Sequence, residues 1–131
     1  MPALNYMKQF AEPVEKLQKP CTIRAIRKRP FKEGDTLYHY TGLRSAKCRK
    51  LLENKALAVF DITIESEDRV YINRNLLKPE NIRELANIDG FKETPEFMDF
   101  FRNTHGFPFT GQLIMWNEVY AMGFKKLFGN G

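Results

Sequence analysis

Apolar residues alternate with polar ones in several stretches of this chain and recur at helical spacing in others. The clearest strand is 56–65. After Val59, the residues Phe60, Ile62 and Ile64 take every second place, and β-branched side chains are frequent. Residues 69–73 read as its partner, reached through a turn at Glu67-Asp68. Residues 21–26 alternate in the same way: Cys21, Ile23 and Ala25 point to one face, Thr22 and Arg24 to the other. Glu33-Gly34-Asp35 reads as a turn into a strand at 36–40, and 112–117 as a returning strand. Residues 42–50 form a basic loop beginning at Gly42, whose middle is helical or irregular. Residues 1–18 give a short strand or extended arm, then a helical turn near 12–17 with Pro13 in its first turn.

Two helices are marked by their ends. The first covers 79–89, with Pro79 opening it, Gly90 just past it, and Ile82, Leu85 and Ala86 on its apolar face. The second opens on Thr94 as N-cap, with Pro95 and Glu96 behind it, and Gly106 ends it. Its Phe97, Phe100 and Phe101 repeat at i, i+3 and i+4, the spacing of a core stripe. The last dozen residues read as a loose tail with a short amphipathic patch at 124–128. Strands, then two helices, then a closing strand predict an α+β fold: a small twisted sheet or β-barrel closed by its first and last strands.

Size agrees with one domain over 1–131, its core at about 4–117 and a tail at 118–131. The apolar fraction of 43% suits a globular chain. No apolar run is long enough to span a membrane, and residues 1–10 lack the basic and apolar regions of a signal peptide, so a soluble cytoplasmic protein is expected. Cys21 and Cys48 form no Cys-x-x-Cys pair and read as small buried hydrophobes; His39 and His105 have no second ligand at helical spacing. Neither a metal nor a cofactor is implied.

Charge changes the picture more than composition does. Residues 19–50 hold ten bases, Lys19, Arg24, Arg27, Lys28, Arg29, Lys32, Arg44, Lys47, Arg49 and Lys50, against Glu33 and Asp35. The segment carries +8 in a chain whose total is +5, so the remainder is mildly acidic. Such a block suits a polyanion, and five arginines suit the forked recognition of phosphate.

The landmarks also fall in a familiar order. Lys19-Pro20-Cys21-Thr22-Ile23-Arg24 is followed by Phe31-Lys32-Glu33-Gly34-Asp35, then Asp89-Gly90-Phe91, Glu96-Phe97 and Leu113-Ile114-Met115-Trp116. Over about 4–117 this order resembles the ASCH domain family of the PUA-like superfamily. The resemblance implies a small PUA-like β-barrel with two or three helices packed over one opening. It also implies a cleft lined by the Lys-x-x-Thr-x-Arg strand and the acid before Gly-Phe, and a role in binding RNA or a modified nucleobase. Some small bacterial members are amidohydrolases that deacylate N4-acetylcytidine with a lysine, a threonine and a glutamate. Lysine and threonine fall here on Lys19 and Thr22. The glutamate falls on Asp89, one methylene shorter, and Pro20 stands where a polar or β-branched residue is expected.

The residues support a site on their own terms. Asp89 continues the apolar face of its helix at the end where the macrodipole disfavours an anion, so it needs a cation such as Lys19 or Arg24, or else merely starts the turn with Gly90. Arg24 can fork onto a phosphate or a carboxylate, or pair with Asp89. Thr22 is a good strand former, or a nucleophile with Lys19 as base. Arg27, Lys28 and Arg29 beside the strand, and Arg44, Lys47, Arg49 and Lys50 on the loop, would neutralise phosphates while Tyr40 or Trp116 stacks on bases; either aromatic is alternatively core. The expected partner is RNA, another single-stranded nucleic acid or a nucleoside-like small molecule. The chain is then a binding module or, alternatively, a hydrolase using Lys19, Thr22 and Asp89.

Overall fold

The computed structural model describes residues 3–129; Met1, Pro2, Asn130 and Gly131 lie outside the described residues. The fold is α+β, with eight strands in two sheets and four helices among those residues. The larger sheet runs β2-β8-β5-β6-β7, built from β2 (Cys21–Ala25), β5 (Ala58–Ser66), β6 (Arg69–Ile72), β7 (Asn75–Leu76) and β8 (Phe109–Met115). The smaller runs β1-β3-β4, from β1 (Ala3–Tyr6), β3 (Thr36–Thr41) and β4 (Arg49–Lys55).

The expected barrel, closed by first and last strands, is not formed. β8 pairs antiparallel with β2 on one side and β5 on the other. Both its edges are occupied, so it offers nothing to β1, which instead pairs parallel with β3. The result is two separate sheets with no closed barrel.

Alternation in β5 is as the sequence reads: Phe60, Ile62 and Ile64 are buried and Asp61 is exposed between them. β2 departs from it, because Thr22 is buried along with Cys21 and Ile23. Both faces at the start of that strand are covered. Gly111 of β8, opposite Ala25, is fixed by close approach: a Cβ there would lie 2.2 Å from the Arg24 carbonyl oxygen.

The helices number four rather than two or three. α1 (Lys8–Glu15) buries Phe10, Ala11 and Val14, with Pro13 inside it. α2 (Pro79–Ile88) and α3 (Thr94–Thr104) pack on each other as the apolar spacing predicts, with Glu93 rather than Thr94 as N-cap of α3. The loose tail expected at 118–131 is instead α4 (Glu118–Phe128), capped by the Asn117 side chain, which accepts from the Tyr120 N–H at 3.1 Å. It seats Ala121 and Phe124 in a core that is one contiguous cluster. The basic stretch 42–50 likewise divides into a turn and the start of β4, an edge strand rich in charge. No helix of the described residues is long and apolar enough to cross a membrane.

Candidate binding cleft

The local fold aims the first site residue. After α1, Leu17 takes a left-handed conformation (φ 60°) and the Pro13 carbonyl accepts from both Gln18 and Lys19 N–H groups, at 2.8 and 3.0 Å. Lys19 is thereby fixed at the head of β2, with its side chain only 3% exposed. Its ammonium donates to the Cys21 carbonyl (2.8 Å), the Asp89 carbonyl (2.9 Å) and the Asp89 Oδ1 (2.5 Å).

Asp89 is the C-cap of α2, and Gly90 follows with φ 100°. A Cβ on Gly90 would lie 2.9 Å from the Phe10 ring, so the turn needs glycine for both space and conformation. Burial raises the Asp89 carboxyl above its ordinary range; the charge and hydrogen bond of Lys19 pull it back, as does the charge of Arg24. Of the two cations the sequence offers for this acid, Lys19 is the one that pairs with it. Oδ1 is engaged, and Oδ2 carries no hydrogen bond from the described residues.

Thr22 and Arg24 follow along β2. Arg24 Nε donates to Thr22 Oγ1 at 3.1 Å, and its guanidinium lies 4.8 Å from the Tyr6 ring centre. Tyr6 is held from behind. Its hydroxyl meets His39 Nδ1 at 2.9 Å, and His39 Nε2 meets Asn54 Oδ1 at 2.8 Å. With the amide oxygen accepting, Nε2 carries the ring proton, and the tyrosine hydroxyl donates to Nδ1. Burial lowers the His39 pKa; the Asn54 hydrogen bond opposes this and the Arg24 charge adds to it, so the imidazole stays neutral. Burial also raises the Tyr6 phenol far above its usual value. A neutral chain from β4 through β3 to β1 therefore supports the arginine.

Lys19, Thr22, Arg24 and Asp89 line one cleft of about 290 Å³. The lining is also aromatic: Phe10, Phe91, Phe100 and Phe101, with Phe10 and Phe91 edge-on at 5.7 Å and Phe91 and Phe100 at 5.4 Å. The phenylalanine stripe of α3 is thus only partly core. Phe97 is fully buried, whereas Phe100 is half-buried and faces the cleft with Phe101. Charged and hydroxyl groups lining a cleft together with phenylalanine rings suit a flat ring with a hydrogen-bonding edge.

The remaining predicted residues are dispersed. Arg27, Lys28 and Arg29 line a second groove of about 740 Å³ with Pro30, Phe31, Lys32 and Asp35. Arg27 packs on the Phe31 ring at 4.6 Å and donates to the Ala3 carbonyl. Phe31 is pinned by Gln112, whose amide accepts from its N–H (2.9 Å) and donates to its carbonyl (3.0 Å). Arg44 and Lys47 are exposed on the turn before β4. Arg49 is paired with Glu15 at 2.7 Å and Lys50 with Glu53 at 2.6 Å. Tyr40 is half-buried on β3 and does not line the cleft. Trp116 is core: 7% exposed, with its ring 4.6 Å from that of His39, so it offers no face to a base. Its indole N–H has no partner among the described residues. Cys21 is buried as expected, but Cys48 is exposed. No three His, Cys, Asp or Glu side chains among the described residues gather to hold a metal ion.

Four residues of this arrangement escaped the sequence reading: Tyr6, His39 as a support, Asn54 and Gln112. A signal existed for two of them. His39 shares the buried phase of β3 with Leu37, and Gln112 interrupts the apolar run of β8; polar groups in core positions need partners. No family model matches the chain, and no curated protein or solved structure matches it.

Proposed function

We propose that this chain is an RNA- or modified-nucleotide-binding domain of the ASCH kind, which takes a base into the cleft between β2 and the α2–α3 helices. The observation that carries this reading is the meeting of Lys19, Thr22, Arg24 and Asp89 with the rings of Phe10, Phe91, Phe100 and Phe101 in the lining of one cleft. A nucleobase has the matching form: a flat apolar face for the rings, and an edge of donors and acceptors for Thr22, Arg24 and the free oxygen of Asp89. Binding of a labelled single-stranded RNA, followed while salt is raised, tests it. Affinity should fall steeply with salt, because each neutralised phosphate releases counterions. No binding at low salt, or an affinity indifferent to salt, refutes it.

The same convergence of Lys19, Thr22 and Asp89 favours a second reading, hydrolysis of an acylated nucleoside. The obstacle lies in Lys19. Its three hydrogen bonds use all three ammonium protons, which leaves no lone pair to take the Thr22 proton. Binding is therefore the better-supported reading. Release of acetate from N4-acetylcytidine by the wild-type chain, lost in Thr22→Ala, would reverse that order.

A further inference from the structure

We infer that Arg24 and Arg27 together form a seat for a phosphate ester at the junction of the two grooves, so that the ligand of the cleft is a phosphorylated nucleotide rather than a free nucleoside. The inference rests on the binding reading above and adds where the phosphate sits.

Charge accounting comes first. Arg24 lines the base cleft and Arg27 a second, basic groove, and both side chains lean on β1, Arg24 on the Tyr6 ring and Arg27 on the Ala3 carbonyl. Both are only half-exposed, and neither forms an ion pair among the described residues. The carboxylate whose charge reaches Arg24 is Asp89, and Lys19 already occupies it. Two positive charges are left over at this point of the molecule. They act on each other: burial lowers the pKa of Arg27, and the charge of Arg24 lowers it further. Two like charges held together, partly out of water, are costly unless an anion joins them.

The donors are also prearranged. Arg24 is held by Thr22 through Nε and by the Tyr6 ring from one face. Arg27 is held by the Ala3 carbonyl and the Phe31 ring, and Phe31 is itself pinned by Gln112. Each guanidinium keeps further N–H groups free, since arginine carries five. A carboxylate has two oxygens, which a single fork satisfies. Two forks with a shared charge of two suit a terminal phosphate monoester, which has three free oxygens and close to two negative charges. Lys28, Arg29 and Lys32 continue the cationic lining beyond Arg27, where a neighbouring phosphate of the same strand would lie. The exposed turn before β4 is a poorer seat, because Arg49 and Lys50 already have carboxylate partners.

Arginine side-chain NMR of the full chain tests the seat directly. Inorganic phosphate should shift the Nε signals of Arg24 and Arg27 before those of Arg29, Arg44 or Arg49. Arg27→Gln removes the charge, and its shorter amide also gives up the bond to the Ala3 carbonyl. With a 5′-phosphorylated eight-nucleotide RNA it should weaken binding about tenfold and lower the salt slope by about one. Arg24→Gln should do the same, and Arg83→Ala, on the exposed side of α2, should do neither. Melting curves of each variant establish that it is folded. Cytidine 5′-monophosphate should bind and cytidine should not; a mononucleotide that binds as tightly as the octamer would confine the ligand to single nucleotides. If phosphate moves only the exposed arginines, or Arg27→Gln binds the octamer like wild type, the seat is refuted while the nucleic-acid reading stands. If phosphate moves Arg24 and Arg27 but no nucleotide or RNA binds, the seat stands and the nucleic-acid reading falls.

Discussion

Replacing Lys19 by methionine tests the central ion pair of the cleft. Methionine nearly matches the volume of the lysine stem but removes the charge that faces Asp89 at 2.5 Å. The carboxylate would then stand 5% exposed at the C-terminal end of α2, where the helix dipole repels it. Removing one partner of a buried pair costs about 3–5 kcal/mol, because the other charge stays buried and unpaired. In a chain of this size about 1 kcal/mol moves Tm by roughly 3–5 °C, so a fall on the order of 10–20 °C is expected at neutral pH. The pH dependence has a definite sign. Burial already raises the Asp89 carboxyl and Lys19 restrains it, so the variant's carboxyl is raised further in the folded state. A carboxyl raised above its unfolded value contributes stability that is full below the unfolded pKa and is lost as pH rises through the folded one. The gap between Lys19→Met and wild type should therefore be wide at about pH 8 and narrow towards about pH 5. The double variant Lys19→Met/Asp89→Leu should recover most of the loss, since a buried pair gives little net stability over apolar side chains that fill the space. Calorimetric melting at several pH values measures all three. A single variant that melts within a few degrees of wild type, or a gap that does not change with pH, would refute the account of Asp89 as a buried charge held by Lys19.

Three further perturbations reach the supports of the cleft and of the basic groove. His39→Gln should flatten the wild-type loss of stability in mild acid: burial depresses the folded His39 below its ordinary 6.5, so its contribution is present above that value and lost as pH falls. Urea midpoints at about pH 7 and about pH 5, compared between the two proteins, measure the difference. Gly111→Ala should cost about 1–3 kcal/mol or more, because the new methyl would lie 2.2 Å from the Arg24 carbonyl and push β2 from β8. The same variant should weaken RNA binding, and native affinity would show that β2 tolerates the shift. Gln112→Leu leaves the N–H and carbonyl of Phe31 unpaired, each worth about 1–3 kcal/mol if it stays dry. Amide exchange of the 27–32 loop should accelerate more than that of β5.

What the sequence reveals of this fold follows from how each element buries its apolar residues. β5 and α2 were legible because each has one buried face and one wet one. β4 was not. Of its seven residues only Leu51 is buried and the rest are partly or wholly exposed, so an edge strand looks like a charged loop. α4 failed in the opposite way. Its outer positions Val119, Met122 and Leu127 are apolar yet exposed, at 78%, 65% and 61%, which erases the polar face a helical pattern needs. The barrel failed for a reason outside local pattern altogether. Closure depends on which strand edges remain unpaired, and the hydrophobic period of β8 is the same whether it ends a barrel or lies between β2 and β5.

The candidate site was legible in proportion to how much of it is charge. A buried acid on an apolar helix face demands a cation; the sequence offered Lys19 or Arg24 for it, and the fold supplies Lys19 across 70 residues. Charge could not show which members of the basic block still lack a partner. In the sequence Arg24, Arg27, Arg49 and Lys50 all read as candidate phosphate ligands. In the fold, Glu15 and Glu53 engage the last two, while Tyr6, Phe31 and backbone or hydroxyl oxygens hold the first two in place without neutralising them. That distinction turns on neutral residues. The hydroxyl of Tyr6, the imidazole of His39 and the amides of Asn54 and Gln112 carry no net charge and follow no motif, and each acts through a partner at least 15 positions away. An arginine bound by neutral groups keeps its full charge for whatever enters the cleft. One bound by glutamate has already spent it, which is why the half-buried pair on and beside β2, and not the more numerous exposed bases, is where an anion should settle.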